Sequence, residues 1–167
     1  DPKRKENLLE DLIHLAEVEM EVLFDDIARL ALTDDNPVVR SAGIRLLWEC
    51  DDIKLVLQYI RMLREDPDAR VCAAAANALG LYVYLGELEE IDENISNEII
   101  EALMTVLDGN APTIVKQRAL ESLGYSNRQE ISDQITKAYQ SGDKEWISCA
   151  LFAMGRSLDD ELWHDPV

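Results

Sequence analysis

A ten-residue pattern that recurs four times is the feature of this sequence that most limits its fold. The copies occupy residues 39–48, 71–80, 115–124 and 146–155, and their starts lie 32, 44 and 31 residues apart. Such a period is typical of chains built from one supersecondary unit whose neighbours stack into a continuous core. The sequence therefore predicts about four units of 31–32 residues, with about 12 additional residues in the second interval.

Each copy follows another segment whose apolar residues recur with the spacing of one helical face. Apolar residues at i, i+4, i+7 and often i+8 lie along one side of an α-helix. Residues 18–22 alternate and could be helical or extended, but no stretch alternates with period two over a length that would indicate a sheet. Each unit is therefore predicted to be a first helix, a turn and a second helix. The first-helix stripes are Leu23, Ile27, Leu30 and Ala31; Ile53, Leu57 and Ile60; Ile99, Leu103, Val106 and Leu107; and Ile131, Ile135, Ala138 and Tyr139.

Residues that favour helix ends separate these segments. Asn36 and Asp66 each precede a proline, which predicts a capping side chain before a proline at the first helical position. Asp143 is predicted to cap the fourth copy, and residues 126–129 have the S-x-x-Q form of a capping box. Three glycines lie where a left-handed residue often ends a helix: Gly80, Gly124 and Gly155.

The copies also match a known sequence pattern: Val, Arg, two spacers, two alanines, a spacer and Ala-Leu-Gly. Residues 71–80, preceded by Asp66-Pro67, and residues 115–124 match it best. This pattern resembles the second helix of a HEAT repeat, and the resemblance covers about residues 22–160. Trp48 and Trp146-Ile147 depart from it. The resemblance implies an all-α fold, an α-solenoid with a right-handed superhelix of about four HEAT-like helix pairs.

The whole chain, residues 1–167, is predicted to be a single HEAT-like repeat domain. An apolar stripe near the start predicts an N-terminal helix that caps the first repeat, formed by Leu8, Leu12, Leu15 and Ala16. The predicted boundaries are 4–21 for the capping helix and link, 22–50 for repeat 1, 51–83 for repeat 2, 84–95 for an acidic insertion, 96–125 for repeat 3, 126–157 for repeat 4, and 158–167 for the start of a further repeat or a C-terminal tail.

The end of the chain allows two interpretations. The fourth second helix carries Phe152 and Met154 without a full successor, although a terminal repeat needs a polar outer face. This favours an excerpt of a longer solenoid. The alternative is that Trp163 folds back as a short cap.

The second helices of HEAT-like solenoids usually line the concave face, which implies a set of candidate partner-binding residues. Ser41 and Ser148 share the helical phase of this set. The alternative is an ordinary polar helix face, with its aromatic residues contacting a further repeat. The candidate residues are Arg45, Glu49, Asn77, Leu81, Gln117, Glu121, Tyr125, Phe152 and Arg156.

The charge balance limits the partners. The chain has 34 acidic and 16 basic residues, a net charge of −18, so binding to a phosphate backbone is not expected. No run of about 18 apolar residues suggests a membrane span.

Three widely spaced cysteines, Cys50, Cys72 and Cys149, do not form a disulfide pattern and indicate a reducing compartment, so the chain is expected to be cytoplasmic.

Much of the excess acid lies in the insertion and the helix after it. Residues 87–108 contain eight acidic residues and no basic one. Leu85, Leu88 and Ile91 predict a short helical turn laid over the repeats. The insertion is either a binding loop or a solvated segment whose acids favour the dipole of the next helix. If this flank binds anything, the partner should carry a basic patch, although solubility is a simpler role.

These features favour a non-catalytic protein-binding or scaffold module. The paired carboxylates fall at turns and helix starts, and no nucleophile, phosphate loop or metal-ligand spacing is present, so no catalytic residue, metal or cofactor is predicted. The alternative is an accessory or lyase-like protein acting on a tetrapyrrole-bearing protein, since HEAT-like repeats resemble those of bilin lyases. A DNA glycosylase would need a basic groove, which this composition disfavours.

Overall fold

A computed structural model describes residues 2–18, 24–158 and 163 of the chain. Those residues form nine α-helices and no strand, which confirms the all-α prediction. The helices are α1 (Pro2–Val18), α2 (Asp25–Ala31), α3 (Pro37–Leu46), α4 (Lys54–Glu65), α5 (Ala69–Glu87), α6 (Glu93–Asp108), α7 (Thr113–Leu123), α8 (Gln129–Tyr139) and α9 (Lys144–Met154).

Helix packing follows the order of the chain. Helices α2 and α3, α4 and α5, α6 and α7, and α8 and α9 pack together as pairs. The second helices of successive pairs also contact one another, in the order α3, α5, α7 and α9, and α1 packs on α3. The buried apolar side chains of all these helices form one hydrophobic cluster. The pairs therefore share a continuous core rather than forming separate ones.

Two predicted helix caps are confirmed and two are wrong. The side chain of Asn36 accepts a hydrogen bond from the backbone N–H of Val38 at 3.0 Å, and Asp143 accepts from two N–H groups at the start of α9. The residue that caps α5 is Asp68, two positions after the predicted Asp66, because Asp66 ends α4 and binds Arg40 instead. Residues 126–129 form no capping box, and α8 begins only at Gln129.

The expectation of left-handed glycines is also wrong. Gly80 lies inside α5, and Gly124 and Gly155 have right-handed helical dihedrals. Two of them permit close helix contacts. A Cβ on Gly80 would lie 3.0 Å from the hydroxyl oxygen of Ser122, and one on Gly124 would lie 2.5 Å from the backbone oxygen of Ala153. The absence of a side chain thus lets α5, α7 and α9 approach closely.

The buried faces of the first helices agree closely with the predicted stripes only in the second half of the chain. The predicted residues of α6 are buried, and so are those of α8 apart from the half-buried Tyr139. In α2 and α4, Ala31 and Ile60 of the predicted stripes are buried, but Leu30 is 76% and Leu57 63% exposed. The predicted stripes are only partly confirmed there because these helices carry apolar residues on adjacent faces, and packing buries only part of each. Leu23 and the link lie outside the described residues.

Helix α1 likewise agrees with its predicted stripe only in part. Its buried residues are Leu9 and Ile13, whereas Leu8 and Leu15 of the predicted stripe are exposed. The helix still packs on α3, as expected of a helix that precedes the first pair. The side chain of Ala16 lies outside the described ones.

The acidic insertion lengthens two helices. Helix α5 continues to Glu87 and α6 begins at Glu93, so only residues 88–92 connect them. Glu89 has a positive φ of 59°, and Asp92 caps α6 by accepting a hydrogen bond from the N–H of Asn94. The predicted separate turn is therefore replaced by longer helices, because Leu85 and Ile91 pack against the shared core.

Within residues 158–167 the structure describes Leu158 and Trp163. Leu158 is exposed, whereas Trp163 is partly buried and packs against the core. The other residues of this segment, and with them the predicted start of a further repeat, lie outside the described part.

Among the described residues, α5 is the one helix that is long and apolar enough to match a membrane span. Half of its apolar window is buried inside the protein, and the helix contacts α3, α4, α6 and α7. The same composition is typical of the central helix of a core.

We predict that Leu123→Ala lowers the free energy of unfolding by about 2–5 kcal/mol, because Leu123 is fully buried and its truncation leaves a cavity. Urea denaturation followed by circular dichroism measures this loss. The matched control is Leu57→Ala, an exposed leucine on α4, which should change stability by less than about 0.5 kcal/mol. Equal effects of the two substitutions would contradict the packing described here.

We predict that Gly124→Ala destabilises the protein by about 1–3 kcal/mol, because the added methyl group would meet the backbone of Ala153, which no side-chain rotation can relieve. Gly155→Ala is the control. Its Cβ would lie 3.6 Å from its nearest neighbours, so this change should be neutral or slightly stabilising. Thermal melts of the two variants distinguish them, and a stable Gly124→Ala variant would disprove the close contact.

Candidate binding groove

A groove lies along the second helices. Its volume is about 740 Å³, and its walls come from α1, α3, α5 and the residues that directly follow α3, α7 and α9. Helices α3 and α5 pack side by side, so their faces contribute to one depression that the residues after α7 and α9 extend. We call this depression the groove; it is within the size range of ordinary ligand-binding clefts.

Six of the nine candidate residues proposed from the sequence line the groove. They come from three successive helix pairs and from the residue two positions after the end of α9, so the groove crosses the chain from pair to pair. The structure brings these side chains to one surface, as the common helical phase suggested. They are Arg45, Glu49, Asn77, Leu81, Tyr125 and Arg156.

The other three candidates lie elsewhere. Gln117 and Glu121 are buried, so they offer almost no surface to a partner. Phe152 is 51% exposed and packs beside Arg156 rather than lining the groove itself. Ser41 and Ser148, which share the phase of this set, do not line the groove either.

Two aromatic residues of the groove, Trp48 and Tyr84, are not among the candidates proposed from the sequence. Trp48 follows α3 and is 58% exposed; it was noted only as a departure from the repeat pattern. Tyr84 lies seven residues after Asn77 and three after Leu81, so it continues their helical face. That spacing would have identified Tyr84 if the second helix of repeat 2 had been extended past residue 83.

Aromatic rings and one guanidinium form a stack at the end of the groove near α7 and α9. The rings of Tyr84 and Tyr125 pack edge to face with centroids 5.3 Å apart. The guanidinium carbon of Arg156 lies 4.9 Å from the Tyr125 centroid and 4.5 Å from that of Phe152. Its Nη1 donates a hydrogen bond to the backbone oxygen of Glu121 at 3.0 Å. These contacts fix the relative positions of four side chains: Tyr84, Tyr125, Phe152 and Arg156.

Glu121, whose backbone accepts this hydrogen bond, belongs to a partly buried polar cluster with Arg118 and Cys149. Glu121 pairs with Arg118 at 2.7 Å, and only 6% of the Glu121 side chain is exposed. Burial, followed by the neighbouring carboxylate of Glu121, raises the pKa of the Cys149 thiol to about 11. The Glu121 carboxylate therefore serves a contact between α7 and α9 instead of facing the groove.

At the α1–α3 end, the groove carries an exposed ion pair. Arg45 donates to Glu10 at 3.2 Å, and both side chains are about half exposed. Such a pair contributes little to stability because water screens it. Arg45 is therefore accessible but already neutralised by an acidic neighbour.

The acidic flank predicted from the sequence borders a second cavity of about 590 Å³. Glu87, Glu89 and Glu93 line it, together with Arg128. Arg128 donates to the side-chain oxygen of Asn97 and not to any of these acids. Neither these acids nor any other group of three His, Cys, Asp or Glu side chains in the described part of the chain has the geometry of a metal site.

We predict that Glu121→Gln lowers the pKa of Cys149 from about 11. The negative charge of Glu121 disfavours the nearby thiolate, and the substitution removes that charge. The measurement is the pH dependence of iodoacetamide alkylation at Cys149, followed by mass spectrometry. Glu145→Gln is the control. This exposed acid raises the pKa of Cys149 less than Glu121 does, so its substitution should shift the alkylation curve less. An unchanged curve for Glu121→Gln would contradict the buried contact.

No protein-family model, curated protein or solved structure shows significant similarity to this chain. The resemblance to HEAT repeats therefore depends on the sequence pattern, and a functional proposal has to start from the groove.

Proposed function

We propose that this chain is a non-catalytic protein-binding or scaffold module that holds an extended segment of a partner protein in the groove. The proposal includes the architecture implied by the sequence repeat: a right-handed α-solenoid of about four HEAT-like helix pairs, with α1 capping the first pair. The module is proposed to act in the cytoplasm, where its three free cysteines would remain reduced.

The order of helix contacts supports this architecture. Each pair packs on the next through its second helix, and the first helices α4 and α6 also touch. Contacts between neighbouring units are what a repeat protein uses to build its core. A surface formed from equivalent positions of successive units is long and narrow, which suits an extended ligand.

The observation that carries the functional proposal is the composition of the groove. Its aromatic side chains, Trp48, Tyr84 and Tyr125, are of the types that supply much of the binding energy at protein interfaces. The amide of Asn77 adds a donor and an acceptor that suit the backbone of an extended segment. These groups recognise and hold a ligand; they do not form a nucleophile–base pair.

The acidic flank adds a preference for the charge of the partner. Glu87, Glu89 and Glu93 lie together, within a chain of net charge −18. Opposite charges accelerate association and discourage wrong partners more than they add affinity. We therefore propose that the partner carries a basic patch beside the segment that enters the groove.

We predict that random linear peptides selected on the intact chain bind it in the groove. Asn77→Arg should weaken the selected peptides at least about tenfold, because Asn77 is exposed and a longer side chain there fills the groove. Calorimetric titration of each peptide measures the change.

The matched control is Leu57→Arg, which adds the same side chain at an exposed position of α4 outside the groove and should leave binding unchanged. If the selection enriches no peptide, or if the peptides bind the Asn77→Arg variant as tightly as the original chain, the proposed function is wrong.

A further inference from the structure

Two arginines line the groove, and they differ in their partners: Arg45 pairs with Glu10, whereas no carboxylate pairs with Arg156 within the described residues. Arg45 is one of five arginines that form ion pairs there: Arg29 with Asp52, Arg40 with Asp66, Arg45 with Glu10, Arg70 with Asp68 and Arg118 with Glu121. Arg156 differs from these five arginines because aromatic rings, instead of a carboxylate, hold it in the groove.

The protein holds this guanidinium in place. Tyr125 and Phe152 lie against it at 4.9 Å and 4.5 Å, and one of its nitrogens donates to the backbone oxygen of Glu121 at 3.0 Å. Stacking on aromatic rings restrains the planar group without neutralising its charge. A charged group that is already ordered loses little conformational entropy when a ligand binds.

Among the described residues, neither Glu121 nor Glu49 forms an ion pair with Arg156. The carboxylate of Glu121 is buried and pairs with Arg118, so it contributes only its backbone oxygen to Arg156. Glu49 lines the same groove, but no ion pair joins it to Arg156. Within the described residues, the backbone oxygen of Glu121 is the acceptor that the guanidinium meets, and its other donors point to a ligand in the groove.

We propose that Arg156 is the receptor for a carboxylate of the bound segment, an Asp or Glu side chain whose neighbouring residue packs on Tyr84 and Tyr125. A planar guanidinium can donate two parallel hydrogen bonds to a carboxylate, which fixes orientation as well as charge. The ring pair beside Arg156 offers an apolar surface to the next residue. This inference rests on the proposed function, since it assigns the chemistry of one position of the same segment.

The overall charge of the chain restricts the segment further. A net charge of −18 repels a strongly acidic peptide at low salt. The segment should therefore carry an acid at the Arg156 position and neutral or basic residues around it. This arrangement also suits the basic patch proposed to face the acidic flank.

The test uses the peptides selected on the intact chain. Replacing the acid of a peptide by its amide should weaken binding about 10- to 100-fold, and Arg156→Gln should weaken the unmodified peptide to a similar extent. On the Arg156→Gln variant, the amide peptide should bind no more weakly than the acidic one. Arg156→Lys should give an intermediate affinity, because it keeps the charge and loses the planar fork.

A charge exchange gives the second measurement: Arg156→Glu should bind a peptide whose acid is replaced by Lys better than it binds the original peptide. Arg61→Gln is the control for net charge, since Arg61 is exposed on α4 outside the groove and its loss should not affect binding. Thermal melts of each variant separate a loss of binding from a loss of folding.

The possible failures are distinct. Peptides that lose affinity on Asn77→Arg but bind equally to Arg156→Gln would overturn the role of Arg156 and leave the groove as the binding site. Selected peptides that contain no acidic position would also overturn it. Peptides insensitive to Asn77→Arg would instead contradict the proposed function itself.

Discussion

The close packing of successive second helices is the constraint on which the rest of this structure depends. Helix α5 contacts α3 before it and α7 after it, and α7 in turn contacts α9. Small residues make this possible, since a side chain on Gly80 or Gly124 would meet the neighbouring helix or the residues at its end. Because these helices lie side by side, residues as distant in sequence as Arg45 and Arg156 line one groove.

Features set by local interactions could be predicted from the sequence. The apolar periodicity predicted an all-helical chain, and the caps at Asn36 and Asp143 form as expected because a capping bond involves only neighbouring residues. The stripes of α6 and α8 were also predicted, since one face of each helix is clearly more apolar than the other. Local chemistry thus determines which segments are helical and where several of them begin.

Features set by packing between helices could not be predicted in this way. Leu30 and Leu57 are exposed because α2 and α4 have apolar residues on more than one face, and only their neighbours decide which is buried. The same holds for the site. The phase of Glu121 suggested exposure, but the contact between α7 and α9 buries it, whereas Tyr84 joins the groove because α5 is longer than the repeat pattern indicates. Helical phase identifies a face, and the packing of its neighbours decides how much of that face remains open.

The distribution of charge connects this packing to the proposed function. Burial of Glu121 beside Arg118 removes from the groove the carboxylate that could otherwise have neutralised Arg156. The aromatic rings of Tyr125 and Phe152 then restrain the guanidinium without cancelling its charge. Within the described residues, the groove therefore keeps one guanidinium without a carboxylate partner, hydrogen-bonded to the backbone of a residue whose own carboxylate is buried. The net charge of −18 repels an acidic partner as a whole, whereas Arg156 attracts a single carboxylate. The groove is therefore proposed to select a segment that carries one acid among neutral or basic residues, which the net charge alone would not predict.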